Sequence, residues 1–411
     1  MLDSLYDLSQ RFLKIYYRDY RRYFLRDHPL ESRFSIILGP RGVGKTTAMV
    51  QYLLDATDHD RLNPQILYVQ ADHFMVKRYS LYEIAEAFVK NGGKLICFDE
   101  IHKYPEWSLE LKSINDTFPE LKIVASGSSA MEIAKGSHDL SRRAIVYKMT
   151  GMSLREYLEL YLGRQWEPHP LEEILENHPQ IAEGIIQKIE AAKKKILPLF
   201  NQYLQHGYYP YFKEFDNIDL FNITLEQNIH TAIENDLQAI FPNLNGVSIK
   251  KLQKLVSFIS ESVPFTPDLK KLKRLLDIGD ERTLKQYLKF LEDAGIILTV
   301  SKKGRSLSLL EKPEKIYLHN TNLAYAIGSP DRIQKGNIRE NFFANILSAA
   351  HRLTTADQGD FRVDDTYTFE VGGPKKTFNQ IKDVQNSYLA IDDLETGYRH
   401  RIPLWLFGFL Y

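Results

Sequence analysis

The fold of this 411-residue chain is decided by one stretch, Phe34-Ser35-Ile36-Ile37-Leu38-Gly39-Pro40-Arg41-Gly42-Val43-Gly44-Lys45-Thr46-Thr47. Its first five residues are mostly apolar, which indicates a buried strand. The segment from Gly39 to Thr46 then fits the pattern G-x-x-x-x-G-K-[ST] at every fixed position. In such a loop, backbone N–H groups and the start of the following helix face phosphate oxygens. The stretch therefore predicts a site for a nucleoside triphosphate.

The loop supplies groups for both the phosphates and a metal ion. Lys45 offers a positive charge to the β- and γ-phosphates, and we expect the Thr46 hydroxyl to join the coordination shell of Mg²⁺. A glycine-rich turn that binds nothing is the alternative, but the strand before it and the helix after it favour the nucleotide site. We therefore predict ATP and Mg²⁺ as cofactors. The predicted nucleotide-binding residues are Gly39, Pro40, Arg41, Gly42, Val43, Gly44, Lys45, Thr46 and Thr47.

A second apolar run, Leu95-Ile96-Cys97-Phe98-Asp99-Glu100, ends in two acids. The partner strand of a P-loop requires this ending, with Asp99 holding Mg²⁺ through water and Glu100 polarising the attacking water. A pair of acids that caps the next helix is the alternative. The continuation Ile101-His102 spells the D-E-x-H of helicases, but the chain shows no motifs of the second motor domain that a helicase needs. The predicted metal ligands are Thr46 and Asp99, and the first predicted catalytic residues are Lys45 and Glu100.

Two later segments bring further polar side chains to the ends of predicted strands. One strand runs into Ser126-Gly127-Ser128-Ser129, where the hydroxyl of Ser126 or Ser128 is expected to sense the γ-phosphate. A serine-rich cap on the next helix is the alternative. Arg142 and Arg143 precede another strand, from which an arginine serves its own site in cis or a neighbour's in trans. A solvated turn is the alternative for both arginines. We include Ser128 and Arg143 among the predicted catalytic residues.

Several of these segments together resemble one protein family. They are Phe98-Asp99-Glu100-Ile101-His102-Lys103-Tyr104-Pro105-Glu106-Trp107, Ser126-Gly127-Ser128-Ser129, Leu140-Ser141-Arg142-Arg143-Ala144-Ile145-Val146-Tyr147 and Gly151-Met152-Ser153-Leu154-Arg155-Glu156-Tyr157-Leu158. The family is that of the prokaryotic AAA-type ATPases, close to the archaeal ATPases, that carry a C-terminal domain of unknown function. Arg143 matches the family's arginine. Arg142 stands in place of a glycine, Gly151-Met152 in place of proline-leucine and Tyr157 in place of a phenylalanine.

The resemblance implies an α/β fold, namely a P-loop NTPase with the parallel sheet of AAA-type proteins. It also implies a helical lid, a winged helix-turn-helix and a small α/β C-terminal domain. Because similar signalling ATPases work as monomers, it implies that the arginine acts in cis, while the oligomeric state stays open. The implied domains are an N-terminal helix (1–30), the P-loop core (31–157), a helical lid or linker (158–247), the winged helix-turn-helix (248–328) and a degenerate nuclease-like domain (329–411).

Leucine-rich helical patterns between residues 248 and 325 support the winged helix-turn-helix. Winged helices bind DNA or proteins, and the formal net charge of zero favours neither, because 53 basic residues balance 53 acidic ones. Double-stranded DNA and an unknown protein therefore both stay open as partners. The residues expected to face a DNA groove are Arg282, Lys285, Gln286 and Lys289 on the third helix, with Lys302-Lys303-Gly304-Arg305 as the wing.

The C-terminal segment is similar to the restriction-endonuclease-like domains of this family. Their metal site requires an upstream Asp and then E-x-K on one strand. Here Glu370-Val371-Gly372 has glycine in place of the lysine, and Lys375 and Lys376 follow only beyond a turn. The upstream acids Asp364 and Asp365 lie five or six residues before Glu370, which is short for a separate strand. We expect a degenerate domain that cleaves nothing, with an active nuclease as the alternative.

Composition narrows the class of protein further. The apolar fraction of 44% and the charged fraction of 26% are typical of a folded, soluble protein. A single cysteine, Cys97, excludes an internal disulfide. We find no apolar run long enough for a membrane span and no signal peptide, so we expect a cytoplasmic protein without a membrane partner.

Together these patterns favour a Mg²⁺-dependent ATPase that switches an attached DNA- or protein-binding C-terminal region. One alternative is a nucleotide sensor or regulatory scaffold that binds ATP without turnover. Another is a P-loop kinase, although a kinase usually lacks a pair such as Asp99-Glu100. A third is an active nuclease-ATPase.

Overall fold

The computed structural model describes residues 1–130, 140–262, 264, 266, 268–302, 313–328, 331 and 333–411. The chain forms two compact units. The first comprises Met1–Gly151 and Glu234–Leu244, and the second comprises Met152–Ile233 and Asn245–Tyr411. The sequence predicted one helical region over 158–247, but eleven of its residues, Glu234–Leu244, belong to the P-loop unit. The other predicted domain boundaries stay predictions.

A five-stranded parallel sheet forms the centre of the first unit, as the α/β prediction required. Its strands are β1 (Phe34–Leu38), β2 (Ile66–Gln70), β3 (Leu95–Asp99), β4 (Lys122–Gly127) and β5 (Ile145–Lys148). Their order is β2-β3-β4-β1-β5, and every neighbouring pair is parallel. The first three strands are nearly continuous apolar runs, as expected for strands covered on both faces. Because all strands run the same way, the residues after β1, β3 and β4 meet at one edge.

Amphipathic helices cover this sheet. α4 shows why they form: Ser80 and Glu83 build a reciprocal capping box at its start, and Leu81, Ile84 and Phe88 follow at helical spacing and are buried. The described helices of this unit are α1 (Leu2–Tyr16), α2 (Tyr23–Asp27), α3 (Lys45–Asp55), α4 (Leu81–Lys90), α5 (Trp107–Thr117) and a single helical turn, Leu237–Ile240. Ile240 of that turn packs against the apolar core of the sheet.

The second unit begins as a helical region. Its described helices are α6 (Leu154–Leu162), α7 (Leu171–Glu190), α8 (Ile196–Gln202), α9 (Ile218–Thr231), α10 (Gly246–Ser262), α11 (Leu269–Leu275), α12 (Glu281–Asp293), α13 (Thr321–Ile327) and α14 (Lys335–Ala350). α7 is kinked at Asn177, two residues before Pro179, because a proline ring excludes a regular helix in the turn before it. In the described residues, no helix is both long enough and apolar enough to cross a membrane.

A small antiparallel hairpin follows the three helices α10, α11 and α12. Its strands are β6 (Ile297–Val300) and β7 (Lys315–Leu318). Three helices followed by a hairpin is the order of elements that a winged helix-turn-helix requires, and that identification stays a prediction. Of the predicted wing, Lys302 is described, whereas Lys303, Gly304 and Arg305 lie outside the described residues.

A second five-stranded sheet ends the chain. Its strands are β8 (Leu353–Thr355), β9 (Phe361–Val363), β10 (Tyr367–Gly372), β11 (Ser387–Ile391) and β12 (Arg401–Pro403). The order is β12-β11-β10-β9-β8, with β8, β9 and β10 antiparallel and β10, β11 and β12 parallel. Phe343 of α14 packs its ring against Phe361, Phe369 and Phe407, which fixes this helix on the sheet.

Candidate nucleotide-binding site

The loop after β1 has the backbone of a phosphate cradle. Gly42 and Gly44 adopt positive φ angles of 83° and 101°, which residues with side chains rarely adopt. A Cβ atom at Gly39 would lie 2.3 Å from the carbonyl oxygen of Met149, so only glycine fits there. α3 begins at Lys45, directly after the loop, so its first N–H groups lie next to the cradle. The residues present therefore fit a bound triphosphate.

The ammonium group of Lys45 is held inside this loop. Its Nζ donates hydrogen bonds to the carbonyl oxygens of Gly39, at 2.8 Å, and Pro40, at 3.0 Å. Burial lowers the pKa of Lys45, against the opposing effect of the nearby Glu100 and Asp99. Charged phosphate oxygens are stronger acceptors for an ammonium group than neutral carbonyls. Lys45 therefore stands ready in the loop to transfer its hydrogen bonds to phosphates.

Asp99 ends β3 as a carboxylate surrounded by hydroxyl groups. Its Oδ2 accepts hydrogen bonds from Thr46 Oγ1, at 2.7 Å, and from the Tyr68 hydroxyl, at 2.5 Å. Ser126 Oγ donates to its Oδ1. Burial and the charge of Glu100 raise the pKa of Asp99, and these three hydrogen bonds oppose the rise. The two predicted metal ligands are thus in direct contact, and Tyr68 is a member of the site that no sequence motif marks.

Glu100 follows in a left-handed backbone conformation with a φ of 56°, which is uncommon for a residue with a side chain. Three basic groups lie near its Oε2: Lys103 Nζ at 3.0 Å, Arg41 Nη2 at 3.7 Å and His102 Nε2 at 3.8 Å. Burial raises the pKa of Glu100, but the charges of Lys45 and these neighbours outweigh burial, and the pKa is lowered overall. Glu100 is therefore an ionised carboxylate at neutral pH.

Asp236 joins the site from the segment Glu234–Leu244. Its carboxylate accepts hydrogen bonds from Arg41 Nη2, at 2.8 Å, and Arg41 Nε, at 3.2 Å. His102 Nε2 lies 3.2 Å from the same carboxylate. Burial raises the pKa of Asp236, but the contacts with His102 and Arg41 outweigh burial and lower it to about 2. No sequence signal marks this residue, because it lies 136 positions (236 minus 100) beyond Glu100 and in no motif.

The two candidate serines contact the site differently. Ser126 Oγ donates to Asp99 and accepts a hydrogen bond from the Glu100 N–H at 3.3 Å. Ser128 makes its contact through the backbone, whose N–H donates to His102 Nδ1 at 3.3 Å. Of the two serines, Ser126 is therefore the one whose hydroxyl touches the acid pair.

Arg142 and Arg143 lie at the opposite edge of the sheet. They precede β5, whose first residue, Ile145, pairs with Ser35 near the start of β1. The phosphate loop follows the other end of β1, about 10 Å away along the strands at roughly 3.3 Å per residue. Arg143 pairs instead with Asp116, with contacts of 2.7 and 2.9 Å. Within one copy of the chain, parallel strands thus separate both arginines from the phosphate loop, and the choice between action in cis and in trans stays a prediction.

The second unit carries a separate cluster of charged side chains around β10. Glu370, which is 1% exposed, pairs with Lys376, and Lys376 thus reaches back from beyond the turn. Lys315 Nζ lies 3.3 Å from Glu340 and 3.4 Å from Asp360. Burial raises the pKa of both glutamates, with a further rise from Asp360. We call these five residues the lysine-carboxylate cluster.

Asp360 is the acid that joins this cluster, whereas the sequence pattern indicated Asp364 and Asp365 as the upstream acids. Asp360 accepts a hydrogen bond at 2.9 Å from the backbone N–H that follows Glu370. Asp364 and Asp365 pair instead with a histidine and an arginine after α14. Among the described residues, no three Asp, Glu, His or Cys side chains are arranged to hold a metal ion.

Comparison with known protein families agrees with the geometry of the first unit. Residues 31–158 match the profile of a family described as an AAA domain. Residues 197–332 match a family described only as a domain of unknown function. Among proteins of curated function, none matches the chain. Residues 31–158 therefore form an AAA-type P-loop domain, the fold of nucleotide-binding ATPases.

Several solved structures resemble the chain at low identity. The Walker-type ATPase PABY2304 of Pyrococcus abyssi is 12% identical, with 74% of this chain and 93% of that chain covered and a TM-score of 0.35. The Hsp104–ADP complex of S. cerevisiae is 13% identical, with 72% and 42% covered and a TM-score of 0.24. PCH-2 of C. elegans is 13% identical, with 70% and 68% covered and a TM-score of 0.24. Scores this low carry no argument about the site or its function.

Proposed function

We propose that the AAA-type domain hydrolyses ATP with Mg²⁺ and that hydrolysis switches the region 248–411 between states with different affinity for DNA or protein. One observation carries the proposal. Lys45, Thr46, Asp99 and Glu100 come from two motifs that are separated along the chain, and the described residues hold all four around one phosphate cradle. This set supplies the charge, the metal ligands and the base that phosphoryl transfer to water needs.

Binding rests on the loop and on Lys45. The N–H groups of the loop and of the start of α3 donate hydrogen bonds to the phosphates. Lys45 exchanges its hydrogen bonds to the carbonyls of Gly39 and Pro40 for hydrogen bonds to phosphate oxygens. Mg²⁺, when bound, neutralises charge on the phosphate oxygens. Thr46 and Asp99 are the residues that would hold it, and hydroxyl and carboxylate oxygens are the ligands that this ion prefers.

Catalysis rests on Glu100. Its lowered pKa keeps the carboxylate ionised at neutral pH, so it accepts a proton from the attacking water.

The product of ATP turnover tests this proposal. Purified protein with ATP labelled at the γ-phosphate should release the label as inorganic phosphate when Mg²⁺ is present and should retain it when EDTA is present. Label on the protein or on an added acceptor would indicate a kinase. Tight ATP binding without release of inorganic phosphate would indicate a nucleotide sensor and not an ATPase.

Among the described residues of the C-terminal region, α11 carries an exposed basic surface, and we propose α11 as a DNA-contacting element. Four of its seven residues are basic, and Lys270, Lys271 and Arg274 are exposed. On α12, where the sequence predicts the contact, Arg282 is exposed, whereas Lys289 is paired with Glu292 and Asp293 at 3.3 and 2.9 Å. The exposed cations of α11 provide the local positive charge that a protein of zero net charge needs for DNA.

A charge-reversal variant tests this surface. Replacing Lys270, Lys271 and Arg274 with Glu should weaken binding to a 30-base-pair duplex at least about tenfold at low salt, because three phosphate contacts are lost. The same change at Lys193, Lys194 and Lys195 is the matched control and should leave binding within about twofold. If the wild-type protein binds no duplex at low salt, DNA is excluded as a partner and a protein partner is favoured.

For the end of the chain we propose a domain that does not cleave nucleic acid. The lysine-carboxylate cluster supports this proposal, because two lysines are paired with carboxylates that a nuclease would turn toward a metal ion. Incubation of the protein with supercoiled DNA and Mg²⁺ or Mn²⁺ should leave the DNA intact. Cleavage that Glu370→Gln abolishes would establish the nuclease alternative.

A further inference from the structure

Asp236 is a nearly buried carboxylate in the nucleotide site, and the site chemistry described so far leaves it without a role. Only 3% of the residue is exposed. It belongs to Glu234–Leu244, which lies outside the matched AAA profile and packs with the P-loop unit. A buried carboxylate costs folding free energy unless cations or donors compensate it. The identity of its partners therefore indicates what it does.

Both partners of Asp236 belong to the ATPase motifs. Arg41 is a residue of the phosphate loop, and its guanidinium meets the carboxylate through Nη2 and Nε, at 2.8 and 3.2 Å. His102 lies two residues after Glu100, and its Nε2 is 3.2 Å from the same carboxylate. Two-point contact of this kind fixes the guanidinium in orientation as well as in position. Asp236 therefore joins the loop that holds phosphate to the segment that carries the base.

These contacts also keep Arg41 and His102 at a distance from Glu100. Arg41 lies 3.7 Å and His102 lies 3.8 Å from Glu100 Oε2, beyond hydrogen-bond distance, while each is closer to Asp236. A direct contact between Arg41 and Glu100 would occupy the carboxylate oxygen that must receive a proton from the attacking water. By attracting the guanidinium, Asp236 prevents that contact.

The same carboxylate competes with phosphate for Arg41. A triphosphate places several negative charges in the loop that contains Arg41, and a guanidinium pairs with phosphate as well as with carboxylate. While Asp236 holds Arg41, part of the positive charge of the loop is neutralised. The carboxylate thus reduces the affinity of the loop for nucleotide and protects the base at the same time.

We propose that Asp236 is a positioning residue of the ATPase site, which holds Arg41 away from Glu100 and yields it to the phosphates of ATP. The inference rests on the proposed ATPase function. It predicts opposite changes in two constants when the carboxylate is neutralised. The affinity for nucleotide rises, because the loop gains net positive charge, whereas kcat falls, because Arg41, without Asp236 to hold it, divides between the phosphates and Glu100.

Asp236→Asn tests the proposal while preserving the shape of the side chain. The Kd for Mg²⁺-AMPPNP, measured by calorimetry, should fall about fivefold, and kcat for ATP should fall at least about tenfold. Asp236→Glu restores the charge and should return the Kd to within about twofold of the wild-type value. Glu120→Gln removes an exposed carboxylate at the opposite edge of the sheet and should change neither constant.

The double variant Asp236→Asn/Arg41→Ala separates positioning from a merely structural role. If Asp236 acts through Arg41, its neutralisation should change the Kd by less than about twofold once Arg41 is absent. A loss of both affinity and kcat that is equal with and without Arg41 would overturn the proposal. If Asp236→Asn fails to fold, two other variants decide. An unchanged Kd for Asp236→Glu together with weaker AMPPNP binding by Arg41→Ala would support the proposal. Unchanged AMPPNP binding by Arg41→Ala would refute it. If the wild-type protein binds AMPPNP but hydrolyses no ATP, the proposed ATPase function is wrong. The change in Kd caused by Asp236→Asn then decides this inference by itself.

Discussion

The nucleotide site and the lysine-carboxylate cluster both place buried acids beside basic side chains, yet the two regions differ in the partners that their charged groups contact. The nucleotide site contains the ion pairs Arg41–Asp236 and Lys103–Glu100, but within it Lys45 bonds to neutral carbonyls and Asp99 to neutral hydroxyls. In the cluster, Lys376 pairs directly with Glu370, and Lys315 lies between two acids. Groups bonded to neutral partners gain by meeting an ion of opposite charge, whereas paired ions have already met one.

This difference teaches how to recognise a binding site without its ligand. The charge of Asp99 acts on Lys45 and opposes the lowering of its pKa by burial, but loop carbonyls bind the ammonium group and hydroxyl groups bind the carboxylate. The cluster has already satisfied its lysines internally. We therefore assign ligand binding to the first region, and the following predictions test that assignment in order of decreasing effect.

Lys45→Ala should have the largest effect, because it removes the cation that the loop offers to phosphate. We expect the Kd for Mg²⁺-AMPPNP, measured by calorimetry, to rise about a hundredfold or more. Lys376→Ala removes a lysine from the cluster and is the matched control, for which we expect an unchanged Kd. Equal losses in the two variants would erase the distinction between the regions.

Asp236 in the nucleotide site and Glu370 in the cluster should respond to acid with opposite sign. The pKa of Asp236 is lowered from 3.8 to about 2, so its stabilisation of about 2 kcal/mol is complete above pH 4 and is lost between pH 4 and 2. The pKa of Glu370 is raised above 4.5, so the folded state gains stability relative to the unfolded state as pH falls from neutral toward 4.5.

Calorimetric unfolding as a function of pH measures both effects. In Asp236→Asn, the free energy of unfolding should fall less steeply between pH 4 and 2 than in the wild-type protein. Its dependence on pH near neutrality should be unchanged. Glu370→Gln should flatten the gain between pH 7 and 4.5. Identical slopes for both variants and the wild-type protein would contradict the assignment of opposite environments.

Ser126→Ala and Ser128→Ala sharpen the comparison within the nucleotide site. Ser126→Ala removes a hydrogen bond to Asp99 and should lower kcat about tenfold, because a charged group loses one of its donors. Ser128→Ala leaves its backbone contact with His102 in place and should change kcat by less than about twofold. The reverse order, measured by phosphate release, would return the sensing role to Ser128.

Arg143→Ala should have the smallest effect. Within one copy of the chain Arg143 is paired with Asp116 at the far edge of the sheet, so in dilute protein we expect the rate of ATP hydrolysis to change by less than about twofold. A large loss that disappears on mixing Arg143→Ala protein with Glu100→Gln protein would show action in trans, because each variant would supply what the other lacks. That result would mean that a neighbouring copy of the chain contributes Arg143 to the site.

Sequence reasoning found the parts of the site that are contiguous in the chain. The phosphate loop needs glycines, a lysine and a threonine in fixed order, so eight residues sufficed to place Lys45 and Thr46. The apolar run before Asp99 and Glu100 marked a buried strand, and its ending matched the chemistry that such a loop requires. The α/β class and the parallel sheet followed from the same two segments.

The remaining members depend on contacts between distant segments. Tyr68 reaches Asp99 only because β2 and β3 are neighbours in the sheet, and Asp236 arrives from a segment that packs back against the P-loop unit. Asp360 lies beside Glu370 through antiparallel pairing of short strands. Whether Arg143 acts in cis or in trans stays a prediction, because family resemblance gives the residue but not the end of the strand from which it must act.

Glu100→Gln tests the central claim most directly. The substitution removes the base, keeps the size of the side chain and leaves Lys45, Thr46 and Asp99 unchanged. We predict that the rate of Mg²⁺-dependent phosphate release falls about a hundredfold or more while the Kd for Mg²⁺-AMPPNP stays within about threefold of the wild-type value. Phosphate release that continues at the wild-type rate would contradict the account.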